Sequence, residues 1–112
     1  MMQQSSGRYD EVVRRLRQAV LAGAGITDVS MRAAVEARAA GDAAAPEVLP
    51  DLVRSFVDKV ARHAYRVTDE DVATLRAAGY SEDAIFELAV SAAVGAGHSR
   101  LERGLSALRG EI

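Results

Sequence analysis

Glu87, Ser91 and His98 are the few polar residues at or near a segment, Ala84 to Gly97, that is otherwise apolar, and their types suit proton transfer. On a helix of 3.6 residues per turn Glu87 and Ser91 lie one turn apart and His98 almost three turns beyond Glu87. All three, with Gly95, therefore fall on one line along a greasy cylinder. At ~1.5 Å per residue Glu87 and His98 are about 16 Å apart on one straight helix, too far to touch. Two such helices, antiparallel about a twofold axis, would bring them together. A buried carboxylate and imidazole facing a pocket make an acid and base pair if burial raises one pKa and lowers the other. The competing structural reading gives Glu87 an arginine partner and makes His98 the point where the helix emerges into water. His63, seven residues after Phe56 at the edge of a second apolar stripe, and Tyr65 are further candidates for proton transfer across an interface.

Much other chemistry is excluded. The chain has no cysteine, which removes disulfides, thiol nucleophiles and zinc-thiolate sites. Its two histidines lack paired ligand spacing, so no metal is expected. The glycine pairs at 23 and 25 and at 95 and 97 lack the strand-turn-helix context and the lysine of a phosphate-cradling loop, so no nucleotide or other cofactor is expected. With 14 basic against 16 acidic residues there is no field to attract nucleic acid or an anionic membrane. Met1 to Gly7 lacks the apolar core of a signal peptide, and no uninterrupted apolar run reaches the ~18 residues of a membrane span. A cytoplasmic, soluble protein is the expectation.

The elements that must position these residues are helical. The 112 residues suit one domain: a disordered tail over residues 1–8 and a single helical domain over 9–112. Hydrophobic residues make up 49%, yet there are only two Phe, three Tyr and no Trp against 22 Ala, so the interior must be close-packed helices with small side chains. The fold class read from this is all-α, a compact bundle of about five helices.

Tyr9, Val12, Val13, Leu16, Ala19 and Val20 mark a first amphipathic helix from Tyr9 to about Leu21, and Ala22 to Gly25 end it. Thr27 or Asp28 caps a second helix to about Ala40, with Gly41 as its left-handed cap and Met31, Ala34 and Val35 as a weak apolar face. Residues 41–50 hold both prolines and read as a connector. Leu52, Val53, Phe56, Val57, Val60, Ala61 and Ala64 trace the third helix. Thr68 and Asp71 have capping-box spacing for a short fourth helix that Gly79 terminates, and Ser81 starts the last helix. That helix is apolar on nearly every side, so burial is expected by its own subunit on one face and by a second subunit on another, through Phe86, Val90, Ala93, Val94 and Gly97.

The short helix, Gly79 and Ile85 imitate a DNA-binding helix-turn-helix. The would-be recognition helix, however, opens Ser81-Glu82-Asp83 and has no Lys or Arg before Arg100, so it would present carboxylates to phosphates. An αα-hairpin within a bundle fits better.

Arg54 through Val60, Thr68-Asp-Glu-Asp71-Val, Leu75-Arg-Ala-Ala-Gly79-Tyr-Ser81 with Ile85, and an Ala-rich helix closing on Arg100-Leu101 and Gly104-Leu105 together resemble the C-terminal half of alkyl hydroperoxidase D-like proteins, of the carboxymuconolactone decarboxylase superfamily. The resemblance covers about Leu52 to Leu108 and consists of helix-boundary and packing positions. It implies an all-helical fold assembled into dimers, trimers or hexamers. Redox members carry a Cys-x-x-Cys pair upstream of this region. Here the corresponding segment reads Met31-Arg-Ala-Ala-Val-Glu36-Ala-Arg38, so dithiol peroxidase activity is excluded. The function expected is therefore a non-redox subunit that oligomerises with itself or with a cysteine-bearing relative. The alternatives are a cofactor-free decarboxylase-like enzyme using Glu87 and His98, with His63, and a small-molecule-binding regulatory module.

Overall fold

The computed structural model describes residues 2–42 and 49–110, and among them there are five α-helices and no strand. The chain is an all-α bundle. Helix α1 spans Met2–Arg17 and runs on into one π-helical turn, Gln18–Ala22; α2 spans Val29–Ala39, α3 Asp51–His63, α4 Asp69–Ala77 and α5 Glu82–Leu108. A single 3-10 turn, Ala64–Arg66, follows α3. The first helix thus reaches back through residues 2–8, where the sequence places a tail, and most of the expected connector, residues 43–48, lies outside the described residues.

Local chemistry sets the boundaries. Thr68 Oγ1 accepts from the Asp71 N–H at 3.3 Å while the Asp71 carboxylate accepts from the Thr68 N–H at 2.8 Å, a reciprocal cap that opens α4. Lys59 donates to both oxygens of the same carboxylate at 3.0 Å and thereby ties α3 to that cap. Gly79, at φ 104°, makes the left-handed turn that ends the hairpin's first arm. Ser81 Oγ then accepts from the Ala84 N–H at 3.1 Å and starts α5. The αα-hairpin expected from the sequence is what forms.

The core joins α2, α3, α4 and α5 around Val35, Val53, Phe56, Val57, Leu75, Ile85, Leu88 and Ala92. The third-helix stripe holds at Val53, Phe56, Val57 and Ala61. It fails at its ends: Leu52 is 44% exposed, and Ala64 falls in the 3-10 turn, also exposed. The most extensive helix pair is α2 with α5. Gly95 makes it possible, because a Cβ there would sit 2.2 Å from the Glu36 carbonyl oxygen. The two backbones touch at that point, and α5 stays continuous through Gly95 to Gly97 for 27 residues.

Helix α1 lies outside this core. None of its residues from Tyr9 onward is buried, and Val12 and Leu16 are 66% and 54% exposed. The molecule is accordingly elongated, 51 × 28 × 24 Å, with a radius of gyration of 15.1 Å, against about 13 Å for a compact chain of this size.

Candidate functional site

Glu87 projects from the second turn of α5 toward the segment between the π-helical turn and α2. Its Oε2 accepts from the Ile26 N–H at 2.8 Å, and its Oε1 accepts from the Thr27 N–H at 2.8 Å and the Thr27 hydroxyl at 2.7 Å. The Thr27 hydroxyl, then the two backbone N–H groups, then the nearby Arg32 charge favour the ionised form and lower its pKa to about 2. The acid role imagined for a buried Glu87 is thus reversed: hydrogen bonding to the charged form outweighs desolvation. Gly25 is required beside it, since a Cβ there would lie 2.8 Å from Glu87 Oε2.

Arg32, only 3% exposed, continues this polar seam. Its guanidinium donates to the Val20 carbonyl at 2.8 Å and the Gly23 carbonyl at 2.7 Å, capping the end of the π-helical turn. One turn along α2, Glu36 pairs with Arg17 at 2.6 Å. Neither Glu87 nor Glu36 is left to act as a free base. These seam residues were not legible as a site. Of the two caps the sequence offers, Thr27 or Asp28, Asp28 occupies the N-cap position, without a side-chain cap hydrogen bond, and Thr27 serves Glu87. The one available signal was that Arg32 and Glu36 interleave with Met31, Ala34 and Val35, on the arc that packs inward.

The polar line on α5 does face its own subunit, but each member meets something different. Ser91 is fully buried and its Oγ has no hydrogen-bonding partner among the described residues, as is also true of Arg32 Nε and His98 Nδ1. Gly95 meets α2. His98 stands between two open grooves along α1. One, of about 430 Å³, is lined by Asp10, Arg14, Gln18 and Leu21; the other, of about 330 Å³, lies between Val13 and Leu16 of α1 and Val90, Val94, Gly97 and Leu101 of α5. His63 is exposed at the end of α3, where its ring meets Tyr65 edge-on at 6.1 Å.

The residues read as an interface lie on the opposite side of α5 from the core. Phe86 is 68% exposed, Ala93 and Gly97 are exposed, and Val90 and Val94 are half-buried. Among the described residues no cluster of three or more His, Asp or Glu side chains suits a metal ion, and no helix is long and apolar enough to cross a membrane. Comparison with protein-family models, curated proteins and solved structures gave no match for this chain.

Proposed function

We propose that this chain is a non-redox, oligomerising helical subunit of the alkyl hydroperoxidase D-like kind, which works by assembling with itself or with a cysteine-bearing relative. The observation that carries the reading is the apolar surface shared by α1 and α5, where Val12, Leu16 and Phe86 each leave more than half of their surface in water. An amphipathic helix with no buried residue from Tyr9 onward has the apolar face of that stretch available for another subunit. The use of Glu87 supports the same side. A carboxylate with three donors and a pKa near 2 fastens the loop to α5 and is a poor proton carrier at neutral pH, so a decarboxylase-like mechanism would rest on His98 without its expected partner. Native mass spectrometry of protein purified gently from its host tests the proposal. Assemblies of two or more subunits are expected, and a bare monomer at every concentration overturns it.

A second reading is favoured by His98, whose partnerless Nδ1 sits between the two grooves. It makes the chain a small-molecule-binding module. A stoichiometric small-molecule adduct that disappears in His98→Ala, with assembly retained, would select that reading.

A further inference from the structure

We infer that the partner is a second copy of this chain, packed α5 against α5 in antiparallel fashion about a twofold axis that passes between Ala93 and Val94. The inference rests on the reading of the chain as an oligomerising subunit and adds the partner and the register.

At 100° per residue, Phe86, Val90, Ala93, Val94, Gly97 and Leu101 fall within an arc of about 100° on α5. Every one of them is exposed or half-buried. Their successive spacings are 4, 3, 1, 3 and 4 residues, the same read from either end. An antiparallel twofold about the midpoint therefore sets Phe86 against Leu101 of the other copy, Val90 against Gly97, and Ala93 against Val94. A self-complementary contact requires each residue to meet a different one in this reciprocal way. Size matches as well as position: the two valines each oppose one of the two smallest residues. Gly97 has no atom within 4 Å of where its Cβ would be, so the space above it is not used by its own chain.

The area is of the right order. Val12 at 66%, Leu16 at 54%, Phe86 at 68% and Leu101 at 40% exposure together leave on the order of 400 Å² of apolar surface, about half of the ~800 Å² per partner in a standard interface. The half-buried Val13, Val90 and Val94 and the small-residue backbone extend the same patch. The groove between α1 and α5 gives it shape, with α5 as floor and Val13 and Leu16 as one wall. The charged side chains that border the arc between Phe86 and Leu101 and the groove are already engaged within the chain: Arg100 donates to the Ala61 carbonyl at 2.7 Å, Glu87 accepts from the Ile26 and Thr27 N–H groups, and Arg17, which lines the groove, pairs with Glu36. A second α5 therefore meets charges that keep their partners.

The absence of native cysteine makes single-cysteine variants of the full chain clean reporters. Ala93→Cys places two copies of the thiol beside the axis, within disulfide reach. Mild oxidation should convert it to a covalent dimer. Phe86→Cys alone should stay single, because its copies lie about 22 Å apart along the helices, whereas a mixture of Phe86→Cys and Leu101→Cys should yield the mixed dimer. Gly97→Leu fills free space in its own chain but collides with the partner's Val90. It should shift the mass by light scattering from dimer to monomer and raise the dissociation constant at least 100-fold, with an unchanged helical circular dichroism spectrum. Wild-type protein that is monomeric at every concentration overturns this inference, and the proposed function falls with it only if the protein purified gently from its host also carries no partner subunit. An oligomer in which Ala93→Cys does not cross-link and Gly97→Leu still assembles overturns the register alone. A one-to-one complex with another protein, without self-association, overturns the second copy while leaving the subunit reading standing.

Discussion

Glu87 stands at the centre of the residue-scale argument because one carboxylate closes three hydrogen bonds to a loop sixty residues away in sequence. Glu87→Ala strands the Ile26 and Thr27 N–H groups and is expected to cost about 1–2 kcal/mol, a fall in Tm on the order of 5–10 °C. Thermal unfolding by circular dichroism at pH 7 measures it, and an unchanged Tm would show that the clamp contributes nothing. Its pH signature has a definite sign. The folded-state pKa of about 2 lies below the ordinary 4.5, so the stabilisation is complete above about pH 4.5 and is lost as pH falls toward 2. Asp58, beside Arg38, and Asp71, in the α4 cap, are lowered too and act in the same acid range, so the wild type alone cannot isolate Glu87. The difference between wild-type and Glu87→Gln Tm should therefore shrink between pH 4.5 and 2; parallel curves would remove the argument. The sequence marks Glu87 as a polar residue on an apolar helix, but its hydrogen-bond donors were not legible there. Periodicity shows which way a side chain points on its own helix, but the donors came from Ile26 and Thr27, whose approach depends on how α2 docks.

At the scale of elements, the two glycines of Gly95-Ala-Gly97 have opposite roles that spacing alone did not separate. A methyl at Gly95 would lie 2.2 Å from the Glu36 carbonyl oxygen, and backbone cannot step aside as a side chain can. Gly95→Ala should force α2 off α5 and destabilise by about 2–3 kcal/mol, well beyond the ~0.5–1 kcal/mol gained in helix propensity. Gly104, in the same helix with nothing within 4 Å of its Cβ position, is the control: Gly104→Ala should stabilise by about 0.5–1 kcal/mol. Urea denaturation of both variants tests the pair, and equal effects would contradict the close α2–α5 contact. The elements whose signals are local were legible. Thr68 with Asp71 and Ser81 mark their helix starts by side chains that act within three residues, Gly79 marks a helix end by its left-handed backbone, and the structure places the ends there. The π-helical turn was not legible. The Val20 carbonyl within it and the Gly23 carbonyl just after it accept from Arg32, twelve and nine residues away, so nothing within Gln18–Ala22 announces it.

At the scale of the whole molecule, α5 buries one face against α2 and α3, while the Phe86-to-Leu101 face of α5 and the residues of α1 from Tyr9 onward are exposed or half-buried. If a second subunit covers it, stability and assembly become one equilibrium. Tm must then rise with protein concentration, since a tenfold increase shifts a monomer–dimer balance by about 1.4 kcal/mol. An apolar contact also predicts little change with salt, whereas one held by ion pairs would weaken as screening increases. Phe86→Asp gives the decisive contrast. Phe86 is 68% exposed and belongs to no buried cluster of its own chain, so the change should leave the isolated fold intact. Across a subunit interface, however, two copies of an aspartate would be desolvated without partners, which is prohibitive for so small a contact. The expected result is a helical monomer whose Tm no longer depends on concentration and equals that of the wild type extrapolated to dilution. Sedimentation equilibrium and thermal scans over a hundredfold concentration range read both quantities. A Phe86→Asp variant that assembles like the wild type would place the contact elsewhere and leave this face of α5 without a subunit role.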